Sequence, residues 1–410
     1  MNSLFSGSDL MDPCAEPEID VALLTGGADT PYAFGLATAL ISRGVRLDLI
    51  AGDELDRPEF HVTPSVRFLN LRGDQRSDVG LAKKISRVLI YYGRLLRYAL
   101  SARPRIFHIL WNNKFEVFDR TLLMLYYRFL KRKVVLTVHN VNAGIRDSTD
   151  TPLNRFTLRI QYRLADHIFA HTDRMKGELV HGFGVREAGV SVIPFGINNA
   201  VPHTDLTPDE ARRRLGIAIG AKTLLFFGSI APYKGLEYLV DAFRLVATHR
   251  DYQLIIAGSP RGRSEDYWDG IQQTIRRDVH AGRIIQKIEF IPDKDTEVYF
   301  KAADVLILPY TEIFQSGVLF LGYSFGLPVI AADVGSVKED VIEGKTGFVF
   351  AKKDPIDLAR AIETYFASDL YKCLRHRRQE ILDYANERHS WEKVSQMTRT
   401  VYRELLQNAS

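Results

Sequence analysis

At 410 residues the chain is long for a single core and comfortable for two α/β domains. Apolar residues at 46% and charged residues at 25% are ordinary globular composition, and a formal net charge of +4 is too small to argue for nucleic acid. Two cysteines far apart, Cys14 and Cys373, speak against a disulfide framework or a cysteine zinc site and fit a reducing compartment.

The first 18 residues carry Asp9, Asp12, Glu16 and Glu18 and no base. They lack the basic start and apolar middle of a secretory signal and read as a flexible tail. No apolar run is long enough to span a bilayer, so a cytoplasmic protein is expected. Short β-branched or apolar runs then alternate with helical-period segments. In the first half they fall at 20–27, 46–53, 66–71, 106–111, 133–140, 167–172 and 190–196. In the second half they fall at 223–230, 252–259, 288–293, 305–310, 328–333 and 347–351. Such runs with helices between them predict parallel sheets built from βαβ units. A break follows residue 196. The turn-rich stretch after it leads to Thr207-Pro208-Asp209-Glu210, a helix start with an N-cap, proline at N1 and acids in the first turn. The expected division is a tail over 1–18, a first Rossmann-like domain over 19–200, a second over 201–385, and a terminal helix over 386–410 that can pack back on the first domain.

In open parallel sheets, ligands bind beyond the carboxyl ends of strands. The first run ends in Thr25-Gly26-Gly27-Ala28-Asp29, ahead of a helix; these glycines leave room for a ligand or make a bare tight turn. The dinucleotide pattern G-x-G-x-x-G is absent. The fifth run ends in His139 and Asn140, polar groups that suit sugar hydroxyls or a local turn network. In the second half, Gly228-Ser229 leads to Lys234 at a helix start. A lysine there can neutralise a diphosphate or simply sit in solvent. Pro309-Tyr310-Thr311-Glu312-Ile313-Phe314-Gln315-Ser316-Gly317 is the most specific segment. Amides of Gln315, Ser316 and Gly317 would face a phosphate from the start of an apolar helix.

These blocks resemble the donor domain of family 4 glycosyltransferases. The likeness rests on the stretch around Lys234, Ala257-Gly258, the run from Ala302 to Pro309, Gly326-x-Pro328, and Glu343-Gly344-Lys345-Thr346-Gly347. The resemblance implies an α/β GT-B fold, two Rossmann-like domains facing each other across a cleft, and retaining transfer from a nucleotide sugar. It implies that His139 contacts the donor sugar, with Asn140 and Gln315 beside it, and that Lys234, Ser229, Ser316 and Gly317 hold the diphosphate. It puts the base near Phe290, Ile291 and Pro292, a catalytic role on His139 and Glu312, and the acceptor beside Gly26 and Gly27. This sequence departs from the family at Ser229, where an arginine is usual. It departs again in the paired glutamates, whose places fall at Ile313 and Leu321, with Glu312 one residue early.

Asp293-Lys294-Asp295 resembles a metal motif of another glycosyltransferase fold and reads better as a solvated loop. Neither a bound metal nor a cofactor is expected, the nucleotide-diphosphate sugar being a substrate. Segment 83–105 holds Lys83, Lys84, Arg87, Arg94, Arg97, Arg103 and Arg105 without an acid. Its helical stripe of Ile85, Val88, Leu89, Tyr92, Leu95, Leu96 and Ala99 is expected to face the core. Ile90, Tyr91 and Tyr98 are expected among the bases. That face suits an anionic membrane surface, a domain contact or an oligomer interface. The combined reading is a hexosyltransferase acting on a sugar or lipid-linked acceptor in surface polysaccharide or glycolipid synthesis. A non-catalytic nucleotide-sugar binder, an epimerase and a phosphorylase are the alternatives.

Overall fold

The computed structural model describes residues 19–27, 29–73, 80–147, 149–197, 201–247, 252–260 and 264–408. The expected tail lies outside them. Among the described residues two parallel sheets form. The first contains β1 (Ile19–Leu24), β2 (Val45–Ala51), β3 (Val66–Asn70), β4 (Ile106–Ile109), β5 (Lys133–Val138), β6 (His167–Ala170) and β7 (Val190–Val192), in the order β3-β2-β1-β4-β5-β6-β7. The second contains β8 (Lys222–Phe227), β9 (Tyr252–Ala257), β10 (Ile284–Lys287), β11 (Val305–Leu308), β12 (Val329–Ala332) and β13 (Gly347–Phe350), in the order β10-β9-β8-β11-β12-β13. The strands are apolar on both faces because helices cover both. Val21, Ala22 and Leu23 are buried in succession on β1, as are Leu224, Leu225 and Phe226 on β8. Strand order reverses between β1 and β4 and again between β8 and β11. Crevices open at such switch points, beyond the carboxyl ends of the strands.

The terminal helix Trp391–Gln407 lies against the helix Thr30–Ser42 of the first sheet. Two glycines make room for Trp391. A β-carbon at Gly35 or Gly196 would run into its indole, whose Nε1 donates to the Ile197 carbonyl at 2.8 Å. Tyr402 from the same helix is fully buried, and its hydroxyl pairs with Nδ1 of His108 on β4. The other ring nitrogen of His108 meets Thr137 Oγ1 at 2.7 Å. Burial pulls His108 down to about 3, so this ring is neutral.

Two expectations need correction. The run expected at 288–293 is not a strand; β10 is Ile284–Lys287, and Ile288 to Pro292 lead into the helix Asp293–Ala302. The edge position of β10 explains the slip. Its Gln286 and Lys287 interrupt an apolar pattern that an edge strand does not need. Asp293 and Asp295 form the first turn of the following helix, where the helix dipole favours acids. The helix Leu81–Ser101 buries Tyr92, Leu95 and Ala99 of its expected face but departs from it at four places. Tyr91 is buried and Tyr98 half-buried, whereas Ile85 and Leu89 are exposed. Both tyrosine hydroxyls find inward partners, Asn113 Oδ1 and Asp48 Oδ2, each at 2.7 Å. Large rings with satisfied hydroxyls gain more from burial than the aliphatic residues they displace. No described helix is long and apolar enough to cross a membrane.

Candidate active site

A cavity of about 350 Å³ lies between the two sheets. On one side it is lined by residues following β4 and β5, on the other by the loop 313–317 after β11. The β1 end contributes Asp29. Gly26 and Gly27 adopt φ of +63° and +72°, a left-handed turn that suits glycine. A β-carbon on Gly26 would overlap the Trp111 backbone, and one on Gly27 the Arg72 guanidinium. This packing brings the chain round so that Asp29 caps the helix Thr30–Ser42, accepting from the Tyr32 amide at 3.2 Å. Burial raises the Asp29 carboxyl, with that amide opposing it.

His139 is the best-held group in the cavity wall. Its ring stacks on Trp111 with centroids 4.1 Å apart and planes 3° from parallel, and Tyr32 meets it edge-on at 4.6 Å. Nδ1 of His139 lies 3.1 Å from Nε2 of His171, and Nδ1 of His171 lies 3.3 Å from the Ile193 carbonyl. The carbonyl can only accept, so His171 Nδ1 carries the proton. Burial lowers His171 to about 4 and holds His139 well below its ordinary value, so both rings are neutral. His171 Nε2 is then an acceptor, His139 Nδ1 donates to it, and His139 Nε2 is left with a lone pair. That nitrogen is buried without a protein partner among the described residues. A buried acceptor beside a cavity suits a hydroxyl donor.

The opposite wall is formed by Ile313, Phe314, Gln315 and Gly317 of the β11 loop, and the turn Pro232–Lys234 packs against that loop. Thr311 N donates to the Tyr233 carbonyl at 2.9 Å, and a β-carbon on Gly235 would strike the Pro309 carbonyl. This close approach buries Lys234. Its ammonium donates to Tyr310 Oη at 2.7 Å and sits 4.0 Å from that ring's centroid. Tyr310 Oη lies 3.2 Å from Ser316 Oγ, so ammonium, phenol and hydroxyl form one chain leading to the helix Gly317–Ser324. The first amides of a helix lack intrahelical acceptors and carry the positive end of its dipole. Gly317 at this start lines the cavity. Beside it, Gln315 Nε2 donates to Asp340 Oδ2 at 3.3 Å while its Oε1 is buried without a protein partner among the described residues. Burial lifts the Asp340 carboxyl to about 7.

The two walls are tied together. Ser336 Oγ donates to Thr172 Oγ1 at 2.8 Å, and Arg174 donates to the Gly335 carbonyl at 2.7 Å. Phe195 stacks on Phe320 at 5.2 Å. Gly335, at φ +56°, lets the Ile313 and Phe314 carbonyls rest where a side chain would be.

The structure thus brings His139, Asn140, Gln315 and Gly317 to one cavity, with Lys234 and Ser316 joined to it through Tyr310. Glu312 is exposed and lines no part of this cavity; its neighbours Ile313 and Phe314 do. Ser229, Phe290, Ile291 and Pro292 are not in its wall, nor are Gly26 and Gly27. Phe290 is 68% exposed, Ile291 is buried and Pro292 precedes a helix. Sequence reasoning passed over Trp111, Asn112, Arg120, Gln161 and His171. Arg120 is buried, donates to Asn154 Oδ1 at 2.8 Å, and pairs with Glu116 at 2.6 Å. Among the described residues no cluster of histidine, cysteine or acidic side chains has a metal-holding arrangement, and Cys373 is an exposed free thiol.

Two Rossmann-like sheets whose strand ends share one cleft define the GT-B class of glycosyltransferase. Comparison with known proteins agrees. The model described as Glycosyltransferase Family 4 matches residues 26–201, and that described as Glycosyl transferases group 1 matches residues 221–368. A D-inositol 3-phosphate glycosyltransferase from Corynebacterium efficiens is 24% identical over 363 residues, covering 84% of this chain and 83% of the relative. Among solved structures, a sucrose-phosphate synthase from Thermosynechococcus elongatus superposes with a TM-score of 0.76 at 19% identity, over 96% of this chain and 100% of that one. Anabaena Alr3699/HepE, solved in complex with UDP, gives 0.71 at 17% identity over 94% and 99% of the two chains. The structural likenesses speak to fold. The chain belongs to the family 4 glycosyltransferases and is a glycosyltransferase of GT-B fold.

Proposed function

We propose that the chain transfers a hexose, with retention of configuration, from a nucleoside-diphosphate sugar to a sugar or lipid-linked sugar acceptor. One observation carries this reading. A helix start lies on one side of a cavity, linked through Ser316 and Tyr310 to the buried Lys234 ammonium, and the other side holds the lone-pair nitrogen of His139. The first pair suits a pyrophosphate and the second a sugar hydroxyl. HepE, solved also in complex with UDP-glucose, is similar in fold and supports a nucleotide-sugar donor.

In this reading Lys234 and the amides of Ser316 and Gly317 stabilise the nucleoside diphosphate as it leaves, without a metal. His139 accepts from the sugar, while Asn140 and Gln315 complete its surroundings. The acceptor hydroxyl attacks from the leaving group's face, and a donor phosphate oxygen assists its deprotonation. The exposed Glu312 is then unsuited to chemistry at the anomeric carbon. The base would rest outside the cavity toward Phe290 and Ile291. The acceptor belongs to surface glycan or glycolipid synthesis in a cytoplasmic enzyme that touches an anionic membrane through segment 83–105. No nucleic acid is involved. The name of the Corynebacterium relative adds inositol phosphate to the acceptors to be tried.

Purified protein is incubated with radiolabelled nucleotide sugars and an acceptor panel of simple sugars, inositol phosphate and membrane lipid extract. Transfer from one donor is expected. Neither transfer nor slow donor hydrolysis from any common nucleotide sugar would overturn the proposal. Leu321 is buried where the family carries its second glutamate, which favours a non-catalytic binder as the second reading. Binding without turnover identifies that case.

A further inference from the structure

A second cavity, of about 290 Å³, opens on the first domain between the helix Leu81–Ser101 and the segment after β4. Four bases line it: Arg72, Lys84, Arg87 and Lys114. Among the described residues no carboxylate does. Asp119 stands behind the wall, bonded to Tyr92 Oη and the Asn113 amide. Apart from Asn113 the rest of the lining is apolar or aromatic, including Ile85 and Phe115, each about half exposed.

This cavity shares a wall with the active-site cleft. Trp111, Asn112 and Glu116 line the cleft, whereas Asn113, Lys114 and Phe115 line the second cavity. One short segment therefore separates them. Arg72 rests its guanidinium against Gly27, in the turn after β1, and 5.8 Å from the Tyr91 ring centroid. Beyond the mouth, Leu89 and Ile90 on the 81–101 helix are exposed. So are Val117, Leu122, Leu125 and Phe129 on the adjoining helical segment 116–129. Tyr126 Oη donates to the Leu96 carbonyl at 3.1 Å, so the two elements are packed side by side.

Four cations in a concave site call for a phosphate-type anion, which several N–H donors can hold at once. Exposed apolar side chains at the mouth call for an apolar body attached to that anion. We propose that the second cavity seats the phosphate of an anionic amphiphile, the lipid end of the acceptor. Its chain lies on the exposed residues of the two helices, and its sugar end reaches over the 111–116 segment into the cleft. The word acceptor rests on the transfer reading; the binding does not.

The test is flotation of the full chain with vesicles of zwitterionic phospholipid, alone or mixed with an anionic phosphomonoester lipid. Two double variants remove equal charge from the same surface, K84A/K114A inside the cavity and R94A/R97A outside it. Diffuse attraction to a charged surface counts each nearby base about equally and lowers both doubles alike. A phosphate seat requires K84A/K114A to lose at least ~10-fold more partitioning than R94A/R97A, since charge-assisted hydrogen bonds go with those lysines. Equal losses, or no dependence on the anionic lipid, would overturn the proposal. So would glycerol 3-phosphate displacing the protein at concentrations comparable to the lipid, because the occupant would then be a free phosphate ester. UDP affinity of K84A/K114A is expected to equal that of the unsubstituted chain. A gap in flotation without any glycosyl transfer would leave the lipid seat standing and remove the transfer reading alone.

Discussion

In Asp340→Asn the carboxyl beneath the Gln315 amide becomes neutral at every pH. In the native chain, burial lifts this carboxyl from 3.8 to about 7, while Gln315 and the Arg388 guanidinium pull it down. Between about pH 4 and 7 the folded chain therefore holds a proton that the unfolded chain has released. The unfolded state binds fewer protons in that window, so stability falls as pH rises through it. At 1.36 kcal/mol for each pH unit of displacement, the loss across the window amounts to about 4 kcal/mol. Asparagine keeps the shape and an acceptor for Gln315 but has nothing to titrate. Urea unfolding of both chains is followed at a series of pH values, and the difference in stability is plotted. Other carboxyls titrate in both chains and cancel. The native chain should lose about 4 kcal/mol relative to Asp340→Asn between pH 4 and 8. A flat difference, constant within ~0.5 kcal/mol, would show that the carboxyl is ionised throughout and that its burial does not raise it.

Lys234→Ala removes the ammonium beside Tyr310 and Ser316. Donor affinity measured by calorimetry should fall ~10- to 100-fold, the worth of a hydrogen bond to a charged group. His171→Phe keeps the ring packing but removes the acceptor for His139 Nδ1. Turnover should fall ~10-fold with UDP affinity unchanged, since one hydrogen bond orienting His139 is lost. Trp391→Ala empties the space between Gly35 and Gly196 and should cost ~3 kcal/mol in chemical denaturation, as for other large-to-small changes in packed sites.

Most of the architecture is legible in the chain because strands buried on both faces are apolar throughout. β1, β5, β8 and β11 each announce themselves as runs of Val, Leu, Ile or Phe ending at glycine, proline or polar residues. β10 fails that test because it is an edge strand carrying Gln286 and Lys287. The rule that ligands meet strand ends found His139 and the 315–317 loop, and applied to β4 it would also have found Trp111 and Asn112. Arg120 and Gln161 were beyond it. They sit within helices, where a polar residue reads as a solvated face until the packing of other elements covers it. The inward placement of Tyr91 and Tyr98 on the 81–101 helix turned on two phenol hydroxyls whose partners, Asn113 and Asp48, lie 22 and 50 residues away. Glu312 lay in the right loop, but the carbonyls of residues 313 and 314 settle on Gly335 and the carboxylate stays in solvent.

A crystal structure of the chain soaked with UDP and with an intact UDP-hexose addresses the proposed mechanism most directly. The pyrophosphate should lie within hydrogen-bonding distance of the Gly317 amide and the Lys234 ammonium, with a hexose hydroxyl donating to Nε2 of His139. A nucleotide bound away from the 313–317 loop, or a hexose turned from His139, would contradict it.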